Sequence, residues 1–213
     1  HEMARLVVTE FVTVDGVFED PGGAEQHERG GWVRNRGDGE IAEGAVGLFR
    51  EIESAPARFK IEETVAAQAM LLGRATYEQF SAVWPGREGK LADRMNSMPK
   101  YVVSNSLEQG TRHGRWENTT VIGGGDPAAG IAKLKQELDG TILVHASAGL
   151  VRLVLDAGLV DELRLLVFPV VLGRGRRLIT DLTAEAPLEL VELKPVGDKG
   201  VSLQIYRPRQ TPA

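Results

Sequence analysis

The chain is 213 residues long, 42% apolar and 26% charged, which suits one folded domain with a sizeable core and excludes a low-complexity protein. A formal net charge of -5 argues against nucleic acid as the main partner, since phosphates call for a basic face, and leaves small anionic ligands in a local pocket. There is no cysteine, so disulfides, a thiolate nucleophile and a cysteine zinc site are excluded, and no apolar run approaches the roughly 20 residues of a membrane span. The expectation is that no signal peptide precedes Met3 and that His1 and Glu2 are a remnant of expression. We therefore expect a cytoplasmic protein with one domain over residues 3–208, a small-molecule partner, and neither a membrane nor a nucleic acid as partner.

Residues 6–14 form an apolar-rich run broken by Thr9, Glu10 and Thr13, and lead into Asp15, Gly16 and an acidic, Gly-rich segment: a strand running into a loop. Residues 25–39 are polar and Gly-rich around one large apolar side chain, Trp32, the pattern of a flexible flap or insertion. Ile41, Ala45, Leu48, Phe49 and Ile52 predict a helix over 40–53, with a second short helix over 61–69 beyond Pro56. A compact apolar run, 69–72, then stops at Gly73 and feeds a helix that opens with Arg74, Ala75 and Thr76. A guanidinium and a hydroxyl at a helix N-terminus suit a phosphate monoester. Pro85 and Gly86 end that helix, 90–98 predicts another, and a strand over 100–104 finishes at Ser104, Asn105 and Ser106. Residues 119–122 read as a strand and 123–125 as a turn, with Asp126 and Pro127 as cap and first turn of a helix over 128–138.

The most informative stretch is 141–175. An apolar run over 142–144 stops at Ala146, Ser147, Ala148 and Gly149, after which Leu150, Leu153, Val154 and Ala157 recur at helical spacing. Ser147 suits the N-cap and Gly158 the C-cap, and 163–172 returns as a strand, completing a βαβ unit whose crossover implies a parallel pair in a covered sheet. A strand that ends in small side chains, followed by free helix N–H groups, lets a phosphate approach the backbone. Last, 188–193 and 201–206 flank the turn 197–200 and predict an antiparallel hairpin. The expected class is α/β: a mixed, mainly parallel central sheet flanked by helices, with three or four parallel strands ending in small polar residues and a C-terminal antiparallel hairpin.

VTVDGV at 12–17, LLGRATYEQF at 71–80, PKYVVSNSL at 99–107 and VHASAGLVRLVLDAGLVDELRLLVFPVVLGRG at 144–175 together resemble the dihydrofolate-reductase-like superfamily. They are most similar to the branch of the C-terminal reductase domain of the bifunctional riboflavin-biosynthesis deaminase-reductase. The resemblance implies hydride transfer from NADPH to a planar nitrogen heterocycle, pterin- or pyrimidine-like, and a homodimer. It places Gly73, Arg74, Ala75 and Thr76 at the cofactor's phosphates, with Arg74 as partner of the 2′-phosphate, and Ser104 and Asn105 against the adenosine half. Ala146, Ser147, Ala148 and Gly149 would meet the pyrophosphate, and Asp15, Gly16 and Val17 would lie near the nicotinamide. Two departures stand out. Relatives usually have glycine where this chain has Ala146, and the helix carboxylate with which folate reducers protonate the pterin has no counterpart by motif; Asp38, with Glu40 and Glu43 nearby, is the candidate acid. Trp32 and Trp84 are candidate stacking faces for the substrate ring.

Plainer readings stand beside these. Trp84 and Trp32 also suit core packing, Asp38 a solvated loop charge, Arg74 an exposed arginine, and Asp15 a turn shaped with Gly16. His145 suits a neutral pocket or core histidine better than a metal ligand, because His27 and His113 lie far off without ligand spacing. The stretch 145–149 has the layout of a hydrolase nucleophile elbow, but no histidine follows position 145 to complete a triad. A non-catalytic nucleotide-binding module of the same fold is the alternative of a different class.

Overall fold

The computed structural model describes residues 2–22, 27–33, 54–107 and 116–209. The helix expected over 40–53, and the candidate acids Asp38, Glu40 and Glu43, lie outside the described residues.

In chain order the elements are β1 (Arg5–Thr13), α1 (Ala55–Ala66), β2 (Ala69–Gly73), α2 (Arg74–Val83), a 3-10 turn (Trp84–Gly86), α3 (Lys90–Ser97), β3 (Lys100–Val103) and β4 (Thr119–Ile122). They continue with α4 (Pro127–Glu137), β5 (Thr141–Val144), α5 (Ala148–Asp156), β6 (Glu162–Phe168), β7 (Leu188–Pro195) and β8 (Ser202–Pro208). The strands form one sheet in the order β4-β3-β2-β5-β1-β6-β8-β7. The first six in that order run parallel, and β8 and β7 are antiparallel, as the hairpin pattern predicted.

Beside the strands that end in small residues, β2, β3, β4 and β5, the parallel set includes β1 and β6. One expectation is corrected. The strands of the βαβ unit, β5 and β6, are parallel but not adjacent: β1 lies between them, pairing Val8 with Val144 on one side and with Leu163 on the other. A strand covered on both faces and paired on both edges must be apolar almost throughout, and all of β1 beyond Arg5 is buried. Its polar members Thr9, Glu10 and Thr13 are therefore buried too, and each needs a reason to be there.

The helices cover both faces. Ile131 and Leu134 of α4 with Leu150, Val151 and Val154 of α5 pack against Leu6, Val8, Leu71 and Val144, while Tyr77, Trp84, Leu91 and Met95 pack against Val7, Met70, Leu72 and Leu143 on the other side. Burying each such side chain contributes roughly 1.5–3 kcal/mol. Local signals set most helix ends. Asp126 accepts from the Ala128 N–H at 3.0 Å and starts α4 where expected, and Gly158, at φ +66°, follows the Ala157 cap of α5. For α1 the reading shifts: Pro56 lies in its first turn rather than ahead of it, Ser54 caps it, and Ala69 already belongs to β2. Among the described residues no helix is long and apolar enough to cross a membrane.

Candidate functional site

β2 and β5 are neighbours, with Leu71 opposite Val144, so their C-terminal ends bring two helix starts together. β2 ends at Gly73 and α2 follows with no residue between, whereas His145, Ala146 and Ser147 turn the chain from β5 into α5. A Cβ built on Gly73 would stand 2.1 Å from the Ser147 Oγ, so the two turns touch only because residue 73 has no side chain. Ala146 and Ser147 have φ of +51° and +64°, consecutive L-residues in the left-handed region, at roughly 1–2 kcal/mol each.

Ser147 holds the N-cap position expected of it, yet its side chain makes no capping hydrogen bond, and Gly73 at the start of α2 has none to make. α1 and α4, by contrast, are closed by Ser54 and Asp126. The uncapped ends both open on one cavity of about 360 Å³, lined there by Ala75 and Thr76 of α2 and by the stretch from Ala146 to Gly149. Free backbone N–H groups, small side chains and the positive ends of two helix dipoles fit an anionic diester such as the pyrophosphate of a dinucleotide.

The opposite wall is built from Thr9, Glu10 and Phe11 of β1 and Lys60 of α1, with Phe18, Glu19, Asp20 and Pro21 beyond. Behind it lies a buried charge network. Lys60 donates to the Thr9 hydroxyl and sits 3.1 Å from Glu63; Thr9 donates to Glu63 at 2.6 Å; Arg164 reaches Glu63 at 3.2 Å and Glu162 at 2.6 Å. Burial pushes the Glu63 carboxyl up, but Lys60, His145, the Thr9 hydroxyl and Arg164 outweigh it and hold the carboxyl below its ordinary value. Glu10 lacks such support. It is 7% exposed, one of its oxygens meets no partner, and burial lifts its pKa from 4.5 to about 8 against the opposing influence of Lys60 and the Ala146 N–H. His145 is half-buried as a residue with its Nε2 shut off from solvent; that burial, and then Lys60, lowers its pKa to about 4, so it is neutral near pH 7 and its Nε2 meets no partner.

The other residues singled out in the sequence fall into three places. Arg74 lies just outside the cavity, its Nε 2.9 Å from Glu78 and its terminal nitrogen on the Ser106 hydroxyl; Ser104 accepts from the N–H groups of Ser106 and Leu107 at 3.3 Å. Arg74 and the end of β3, with Ser104 and Asn105, are thus brought together. Asp15, Gly16 and Val17 tie the loop after β1 to the segment near residue 175: Asp15 accepts from the N–H of Leu172 and Gly173 at 3.2 and 2.8 Å, the Gly16 carbonyl accepts from Leu178 N–H, and Val17 bridges Arg177. The Thr13 hydroxyl first, then those N–H groups, lower the Asp15 pKa to about 2. The tryptophans part company. Trp84 is buried on Phe80 and also lines the cavity, whereas Trp32 is buried against Phe168 at 5.4 Å between ring centroids and donates to the Glu19 carbonyl, away from the cavity. Trp32 and Val33 are therefore anchored into the core, while residues 25, 26 and 34–39 of the expected flap lie outside the described residues. Glu10 and Lys60 were not singled out at all. The available signal was a charge inside an otherwise apolar strand.

A mainly parallel sheet with uncapped helix ends at the carboxyl edge of its strands defines an α/β protein of the dihydrofolate-reductase-like fold. The chain belongs to the family of the RibD C-terminal domain, which matches residues 4–202. Two uncharacterised proteins of Bacillus subtilis (strain 168) are similar in sequence. YyaP is 29% identical over 130 residues, 59% of this chain, and the chain spans 66% of that relative's length; YwjB is 30% identical over 172 residues, 80% of this chain and 92% of the relative. Among solved structures, a protein ascribed to riboflavin biosynthesis from Shewanella sp. PV-4 superposes with a TM-score of 0.64 at 17% identity, covering 97% of this chain and 99% of its own. The dihydrofolate reductase of Enterococcus faecalis, complexed with NADP(H), gives 0.58 at 13% identity and 98% and 99% coverage. At such identities these structures speak for the fold alone.

Proposed function

We propose that this protein is an NADPH-dependent reductase that delivers a hydride to a planar nitrogen heterocycle of pterin- or pyrimidine-like type. The observation that carries the reading is the pair of uncapped helix N-termini meeting at Gly73 and Ser147 on one cavity, in a chain of the RibD C-terminal family. Gly73, Ala75 and Thr76, with Ala146, Ser147, Ala148 and Gly149, would hold the pyrophosphate on backbone N–H groups. Arg74 would exchange its contact with Glu78 for the 2′-phosphate, beside Ser104 and Asn105. Asp15, Gly16 and Val17 would shape the loop on the nicotinamide side, and Trp84 would offer a ring face to a flat substrate. When bound, the nicotinamide supplies the hydride; the chain's own residues orient the ring, exclude water and supply the proton. We also propose a homodimer built on β7, an edge strand that exposes Leu190, Val191 and Leu193.

Nicotinamide fluorescence titration of the wild type and of Arg74→Ala with NADPH and NADH tests the cofactor reading. NADPH should bind more tightly than NADH, and loss of the charge-assisted contact should weaken NADPH by roughly 10-fold or more while leaving NADH nearly unchanged. If neither nucleotide binds the wild type, the reductase reading is wrong and a binding module for another ligand takes its place.

A further inference from the structure

Among the described residues three acids line the cavity, and their surroundings differ. Glu19 is engaged by Arg176, whose backbone N–H donates to it at 3.0 Å and whose Nε lies 3.4 Å away. Asp20 holds its own loop, accepting the His27 N–H at 3.1 Å. Glu10 stands on the strand between β5 and β6, buried, held by the N–H of Ala146 in the turn that opens α5, with its Oε1 facing no partner. A buried oxygen left unmatched destabilises the fold, so such a group calls for a ligand.

Resting on the reductase reading, we propose that Glu10 is the acid of this site: its carboxyl donates the proton to the substrate heteroatom as the neighbouring carbon receives hydride. The balance is closed. The C=N double bond becomes a C–N single bond with one new C–H and one new N–H bond, NADPH leaves as NADP⁺, and Glu10 is left as a carboxylate that regains its proton from water. A carboxylic acid can do this near neutral pH only if its charged form is disfavoured, and burial keeps Glu10 protonated up to about pH 8. Among the described residues, the charged and titratable groups facing the same space are Lys60 and Glu63 of α1, His145 after β5, Glu19, Asp20 and Arg176. Lys60 favours the carboxylate that forms, and neutral His145 does not compete for the proton at that pH.

The test compares wild type with Glu10→Gln, which keeps the shape and cannot titrate. In the protein without cofactor, the infrared difference between the two should show a protonated carboxyl at pH 7 that ionises near pH 8. With NADPH and a panel of dihydropterins and aminouracils, turnover of the wild type should fall as pH rises through about 8. Glu10→Gln should lose at least roughly 100-fold in kcat, show no such descent, and bind NADPH within about 2-fold of wild type. An ionised Glu10 at pH 7, or a variant that keeps the wild-type rate and pH profile, overturns the donor role. So does a variant whose lost turnover is matched by lost NADPH binding, which would make Glu10 a cofactor contact. A wild type that neither binds NADPH nor oxidises it with any of the panel sinks the reductase reading and the donor role with it, and that failure shows without the variant.

Discussion

Glu10 and Glu63 are two buried carboxyls within reach of the same lysine, and their neighbours drive them apart. Glu63 has Lys60, Thr9 and Arg164 in contact and stays ionised; Glu10 has one backbone N–H and an empty side, and burial dominates. The linkage signs follow. Glu10 keeps its proton in the native state up to about pH 8, while the unfolded chain releases it from about 4.5, so this group lowers stability as pH rises between those values. His145 acts oppositely: the unfolded chain takes a proton below about 6.5 that the native state refuses until about 4, so stability falls as pH drops through that window. The two slopes oppose each other between about 4.5 and 6.5, and Glu10 acts alone above. Urea unfolding of wild type and Glu10→Gln should therefore diverge between pH 6.5 and 8, in favour of the variant, by on the order of 1–2 kcal/mol. Parallel curves would mean that Glu10 is already ionised. Composition makes a buried charge on β1 visible, since Glu10 interrupts an apolar run. Its environment is not visible, because Lys60 and Ala146 come from distant parts of the chain.

At the scale of elements, the α2 and α5 ends stand out because they meet on one cavity, not because a cap is missing: α3, behind Gly89, also lacks a side-chain cap, while Ser54 and Asp126 satisfy backbone N–H groups at α1 and α4. α2 and α5 leave theirs free and add backbone strain at Ala146 and Ser147. Replacing Ala146 by glycine relieves roughly 1–2 kcal/mol of left-handed strain and loses about 0.4–1 kcal/mol to the freer unfolded chain, so Ala146→Gly should stabilise by about 0.5–1 kcal/mol. Removing a methyl group from the cavity wall should also tighten NADPH. Denaturant midpoints check the first effect and fluorescence titration the second; a destabilised variant would mean the turn is not strained. Elements of this kind were largely legible, for α4 and α5 carry caps and periodicity in contiguous residues. α1 was misplaced because a proline reads equally well as a break or as a first-turn residue, and only the Ser54 cap distinguishes the two.

At the scale of the molecule, β7 ends the sheet with its outer backbone edge unpaired among the described residues and Leu193 61% exposed. Glu189, Glu192, Lys194 and a register shift between Leu190 and Glu192 are devices that discourage open-ended strand addition, while the apolar side chains invite a closed contact. Sedimentation velocity should find a wild-type dimer and a monomeric Leu193→Lys; a monomeric wild type would refute the dimer. The sequence by itself determined the strands, most of the helices, the small-residue strand ends and the family, because each is written in contiguous residues and their period. Tertiary structure alone decided that β1 threads between β5 and β6, and so that Glu10, Lys60 and the Ala146 turn share one cavity. Periodicity encodes which face of an element is buried, but not which distant element covers it, and a pKa depends on that neighbour.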